Sequence, residues 1–326
     1  MALDFIASAD LHEVPEIVVR CLREHGSELA ASAGLQALCF LVFYVLVKKF
    51  MPQTKDPVSL ADTLFSIFFF PLLAFAALAA SWQLCSDVEA RWQGINFWSN
   101  FYLILYVSRM MVHLCLQPLE DMSWMMLLMM STHHLISMVC YMIGLAHGRC
   151  HFWGCLDGCC EITTVFLNGL YLLNDTEVGG KKLKELCPPW VPALNGILLW
   201  LAFLVFRLML FPLWLYYFYL DMQEAPGKTT HVVTNLERTV YPATTSVLLA
   251  LSVSWVERRL GHAKPGDSLA GSLLLFDASN AVHVEIGLKT YRNTAVSRRF
   301  FPLTRGMMKA VNKAQAGGKD DKEKES

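Results

Sequence analysis

The sequence predicts an all-α protein, a polytopic membrane bundle of about seven transmembrane helices, with a lumenal N-terminus and a cytosolic C-terminus. Three observations predict it. Of 326 residues, 55% are hydrophobic and 17% charged, with a mean hydropathy of +0.39, which excludes an ordinary soluble globular domain. Apolar stretches of roughly twenty residues recur, the length an α-helix needs to cross about 30 Å of hydrocarbon. Lys and Arg collect in loops that share one side of the membrane if the number of crossings is odd.

Residues 1–27 form an acidic lumenal segment, since six acidic residues face two basic ones in the first 30 positions. This segment lacks a basic start followed by an apolar core, so no cleavable signal peptide is expected. Apolar spans follow at 28–47, 60–82, 95–116, 124–146, 152–173 and, unusually long, 191–219. Residues 240–256 and 268–288 both qualify weakly as the seventh. Lys48 and Lys49 close the first span, Lys181, Lys182 and Lys184 follow the fifth, and seven basic residues without an acidic one lie between Lys289 and Lys313. All three clusters become cytosolic if one of the two C-terminal candidates crosses. The chain then divides into the lumenal segment, a membrane domain at 28–292 and a basic cytosolic tail at 293–326.

The formal net charge of -1 gives no electrostatic case for nucleic acid, but it hides a segregated tail. From Lys289 to Ser326 there are ten basic and four acidic residues. Arg298-Arg299-Phe-Phe mixes cations with bulky apolar groups, as in a segment lying on an anionic leaflet or in a simple juxtamembrane basic flank. Lys322 and Lys324 resemble a dilysine retrieval signal, which places the protein in the endoplasmic reticulum membrane with membrane lipids as its partners.

Ionisable groups at membrane depth are costly, so they mark where chemistry is to be sought. The fourth span carries His133 and His134 near its middle, with His134, Ser137 and Tyr141 on one helical face. In the fifth, Asp157, Glu161, Thr164 and Asn168 make a polar stripe at i, i+4, i+7 and i+11. The sixth contributes Asn195 and Arg207. At a rise of about 1.5 Å per residue, His133, His134, Glu161 and Arg207 all sit roughly 15 to 18 Å from the lumenal end. An arginine there needs an anion, and Glu161 is the candidate. These groups either pair to hold the helices together or form a buried site in which a neutral histidine acts as base or nucleophile.

The ten cysteines read as small apolar packing residues, although Cys85 and Cys150 both fall near lumenal ends and could pair. His151, Cys155 and Cys159 share a helical face, but nothing has the spacing of zinc knuckles, and no metal or resident cofactor is expected.

His133-His134, followed by Glu161-Ile-Thr-Thr164-Val-Phe-Leu-Asn168, resembles the TLC (TRAM, Lag and CLN homology) domain. Leu194-Asn195-Gly196, Phe203 to Arg207 and Asp277-Ala-Ser-Asn280 extend the resemblance over residues 28–292 and favour 268–288 as the closing helix, leaving 240–256 as an insertion. Ceramide synthases, the best-known relatives, acylate a sphingoid amine from acyl-CoA and follow their histidine pair with two aspartates and a glutamate. Glu161 stands at the first aspartate, Thr164 at the second and Asn168 at the glutamate. The missing second acid makes the chain resemble instead the TLC-domain-containing branch, implicated in membrane lipid composition. The resemblance implies catalytic roles for His133, His134 and Glu161, and substrate contacts for Asp157, Thr164, Asn168, Arg207, Ser137 and Tyr141. Three functions stay open: lipid binding or regulation, acyl transfer with acyl-CoA as co-substrate, and transport along the polar stripe.

Asn174-Asp175-Thr176 is a glycosylation sequon on the expected cytosolic side. Deglycosylation should therefore leave electrophoretic mobility unchanged, and a shift abolished by Asn174→Gln would reverse the orientation.

Overall fold

The structure, a computed structural model, describes residues 11–261. Eleven α-helices carry the fold: α1 (Val14–Phe50), α2 (Pro57–Leu84), α3 (Val88–Gln93), α4 (Phe97–Leu116), α5 (Trp124–His147), α6 (His151–Gly158), α7 (Glu161–Asp175), α8 (Leu183–Leu186), α9 (Trp190–Phe203), α10 (Leu210–Glu224) and α11 (Asn235–Gly261). A π-helical turn, Leu204–Met209, joins α9 to α10, and a two-stranded hairpin, β1 (Glu177–Val178) and β2 (Lys181–Lys182), precedes α8.

Among the described residues, five segments are long and apolar enough to cross a membrane: Val14–Phe50, Pro57–Leu84, Val88–Leu119, Trp124–His147 and Trp190–Glu224. This chain is a multi-pass membrane protein. Its outward side chains fit that solvent, since Leu35, Leu38 and Val42 of α1, Phe68 and Phe75 of α2, and Leu135 and Ile136 of α5 are all exposed. The helix α1 reaches back to Val14, well before the apolar run that begins at 28. Within the bundle, α2 and α4 are central: α1 packs on both, α5 on α1 and α4, α7 on α2, and α9 on α7.

Two expectations need correction. The fifth span is not one helix but two, because Cys159 and Cys160 tighten the chain through i to i+3 bonds such as Cys160 N to Asp157 O at 3.1 Å. Close packing accompanies the break: a Cβ on Gly158 would lie 2.0 Å from the Tyr102 hydroxyl. The segment 240–256, expected as an insertion, lies inside the continuous helix α11, which packs on α5, α10 and the π turn. Residues 268–288 and the basic tail lie outside the described residues.

One end of the bundle is clasped by charge. Arg91 donates to both oxygens of Asp221, at 2.8 and 2.6 Å, and the Trp92 indole donates to the same carboxylate at 3.0 Å. Trp92, Trp153, Trp214 and Phe218 stack around this anchor. Nearby, Gly148 closes α5 at φ 61°, the left-handed conformation that glycine tolerates best. Cys150, at φ 60°, donates its backbone N–H to Trp92 O at 2.8 Å. Thr234 and Glu237 form a reciprocal capping box at the start of α11. Glu237 also accepts from Arg149 at 2.7 Å and meets His147 at 3.0 Å.

Burial pushes the Glu237 carboxyl upward, but bonds from His147, Arg149 and the Thr234 backbone outweigh it, and the pKa falls from 4.5 to about 2. A depressed carboxylate stabilises the fold fully above its ordinary pKa and ceases to do so as pH falls through the folded value. Melting midpoints of the protein in nanodiscs should therefore decline between about pH 4.5 and about 2, on the order of 3 kcal/mol in total. In Glu237→Gln this acid-dependent decline should be visibly shallower; an unchanged profile would refute the clasp.

Candidate functional site

The polar residues of the central helices meet inside the bundle, in two linked clusters that the histidine pair joins. The imidazoles of His133 and His134, adjacent on α5, lie with ring centroids 5.3 Å apart and have different neighbours.

His133 is half-buried and within electrostatic reach of Arg207. Arg207 sits on the π turn, a distortion often kept where a helix must re-aim a functional side chain. Its Nε donates to Thr163 Oγ1 at 2.9 Å, and its guanidinium lies over Phe203, 5.9 Å from the ring centroid. The break between α6 and α7 lets Asp157 and Glu161 flank this region from two helices. Thr245 of α11 donates to Asp157 Oδ1 at 3.5 Å. The Glu161 carboxyl is turned to Thr164 and the Tyr106 hydroxyl and feels the charges of Arg207 and Arg109. The expected pairing of Glu161 with Arg207 thus exists as an electrostatic neighbourhood, with the arginine's hydrogen bond made to Thr163 instead. Tyr102 donates to Tyr141 at 3.2 Å, and Tyr141 to Gly154 O at 3.3 Å. Ser137 is buried on the same side of α5, next to Tyr106.

His134 belongs to the second cluster. Its Nε2 lies 3.0 Å from Nδ1 of His113 on α4. The other His113 nitrogen faces Asp62 and Glu120, each at 3.6 Å. Asp62 accepts from Arg109 at 2.8 and 2.7 Å through its two oxygens, and Ser66 accepts from the same Arg109 nitrogen at 3.0 Å. The Arg109 guanidinium also stacks over Phe65 and Phe69, at 5.1 and 5.9 Å.

Asn168 is the one sequence candidate that falls away from both clusters. It follows α7 beyond Glu161, and its buried Nδ2 has no hydrogen-bond partner among the described residues. Neighbouring contacts there are packing contacts: Asn195 Nδ2 donates to Phe166 O at 3.0 Å, where Gly169 allows α7 and α9 to close up. The other constellation weighed from sequence is structural. All ten cysteines are free thiols, with Cys85 exposed and Cys150 buried, so they do not pair. His151 is held by Ser99 Oγ at 3.0 Å and Gly144 O at 3.3 Å, and packs rather than ligates.

Asp62, Arg109, His113 and Tyr106 were missed from sequence, although the signal was present. Asp62 is the only charged residue in the apolar run at 60–82, and Arg109 the only one in the run at 95–116. The rule that singled out Arg207 applies equally to them.

Compared with known proteins, residues 57–257 match the family model described as the TLC domain. The match runs from the first residue of α2 into α11 and covers more than half of the chain. No curated protein and no solved structure matches the chain.

Asp62→Asn and Arg109→Leu should each lower the melting midpoint sharply, since removing one partner strands a buried charge at a cost of about 3 to 5 kcal/mol. The double variant should lose clearly less than the sum. Strict additivity would mean that the pair does not couple α2 to α4.

Proposed function

The chain belongs to the TLC domain family, and from that premise we propose that it acts in membrane lipid metabolism or homeostasis in the endoplasmic reticulum by binding the polar part of a lipid inside its bundle. The observation that carries this reading is the polar cluster of His133, Arg207, Glu161 and Asp157 within helices whose outer faces are apolar. A cation fixed beside two carboxylates and an imidazole suits a headgroup that carries both donors and acceptors, while the surrounding hydrocarbon holds its chains.

In this reading the membrane is crossed seven times: by α1, α2, α4, α5, the broken pair α6–α7, the long α9–α10 and finally α11. The N-terminus is lumenal and the end of α11 cytosolic, which puts Lys48, Lys49, Lys181, Lys182 and Lys184 on the cytosolic side. The clasped end with Asp221 and Glu237 is then lumenal. The tail, with its leaflet contact and retrieval lysines, is cytosolic.

A second reading is favoured by one observation: His133 is only partly buried and faces Arg207, whereas His134 is enclosed and held by His113. His133 would attack the thioester carbonyl of an acyl-CoA, the thiolate leaving as CoA–SH with the imidazole proton. The acyl group would then pass to a lipid amine, whose proton returns to the ring.

Lipidomics of cells lacking the protein tests both. The phospholipid or sphingolipid acyl profile should change on deletion and be restored by wild type. Restoration by the His133→Ala/His134→Ala double variant supports binding or regulation. Failure to restore, together with loss of label transfer from acyl-CoA by the purified protein, supports acyl transfer. An unaltered lipid profile on deletion would overturn both.

A further inference from the structure

Asp62, His113 and Glu120 converge from α2, from the last turn of α4 and from the turn just beyond it, so that one ligand atom from each lies within 4.8 Å of the others. Their side chains are 12%, 17% and 12% exposed. The His113 Nε2 stands 3.6 Å from both Asp62 Oδ2 and Glu120 Oε1. That is too far for a hydrogen bond, which would close to about 2.8 Å. It is the spacing of tetrahedral ligands around an ion about 2.0–2.2 Å from each. Glu120 Oε1 is buried with no hydrogen-bond partner in the described structure. Two carboxylates face the single fixed charge of Arg109, so the cluster lacks a positive charge.

The groups behind these three point the same way. A ligating histidine commonly anchors its other ring nitrogen, and His113 Nδ1 is 3.0 Å from His134 Nε2. Arg109 bridges both Asp62 oxygens at 2.8 and 2.7 Å, which orients the carboxylate. One imidazole and two carboxylates without a thiolate suit a borderline divalent ion, and three protein ligands leave a fourth position open.

We propose that Asp62, His113 and Glu120 bind a zinc-class divalent cation with one open coordination position, His113 being anchored by His134 and Asp62 by Arg109. The site stands at the end of the bundle where α2 begins and α4 ends, so the ion can enter from the adjoining turn. It does not depend on whether the chain binds or acylates lipid.

The test uses the full chain in nanodiscs, stripped with chelator and dialysed against zinc alone, with bound metal measured by mass spectrometry. Wild type should retain one zinc per chain that Glu120→Gln and His113→Gln lose, and His134→Ala should weaken binding roughly 10- to 100-fold. Cobalt in place of zinc should give the visible bands of a tetrahedral nitrogen and oxygen site without a thiolate charge-transfer band, and this measurement needs no variant to fold. Absence of bound zinc, zinc content unaffected by Glu120→Gln, or a thiolate band from the free cysteines would each overturn the proposal.

Discussion

The constraint that organises this protein is that no charge inside the bundle can be left to the hydrocarbon. Arg109 illustrates it most sharply. It is 1% exposed, and one of its nitrogens spans both oxygens of Asp62 while its face lies on Phe65 and Phe69. The attraction is strong at low dielectric, but so is the desolvation penalty, so the pair does more to fix which faces of α2 and α4 meet than to add net stability. Those two helices are the ones on which α1, α6 and α7 pack. A register error between them would strand both charges at once, and that selects a single arrangement of the bundle.

The same logic separates the interior into regions with different duties. Near one end, the clasps of Arg91 with Asp221 and of Arg149 with Glu237 tie short connections to long helices, and aromatic packing around Trp92 surrounds the first of them. These are closed arrangements, with each carboxylate bonded by several donors. The middle is different. Asp157 and Glu161 come from helices interrupted at Cys159 and Cys160, and Arg207 from a π turn. Irregular backbone at membrane depth is tolerated only where protein or a cavity satisfies it, and here both irregular stretches are linked by the Arg207 to Thr163 bond.

Much of this was legible in the sequence, and what was not has physical causes. Helix lengths and the histidine pair were readable because hydrocarbon thickness and the cost of burying ionisable groups leave strong one-dimensional signals. The polar stripe from Asp157 to Asn168 was only half readable. Helical periodicity assumes an unbroken helix, and the tightened turn at Cys159 and Cys160 separates Asp157 on α6 from Glu161, Thr164 and Asn168 on α7. Residues 240–256 were ambiguous because Thr244, Thr245 and Ser246 lower their hydropathy; on α11 Thr245 reaches Asp157 and Thr244 meets Cys140, while Ser246 stays exposed. The Asp62 to Arg109 pair went unnoticed since its partners are 47 positions apart, and separation in sequence conceals what packing brings together.

The histidine pair follows from that packing. Successive residues on an α-helix point about 100° apart, so His133 and His134 cannot share an environment. One faces Arg207 and the broken helices; the other is bonded to His113 and the Asp62 group. Through Arg109, which Glu161 also feels, the two clusters are electrically continuous. A cation bound between Asp62, His113 and Glu120 would therefore alter the field at Arg207, Glu161 and Asp157 without touching them. The two adjacent imidazoles are where the two clusters meet.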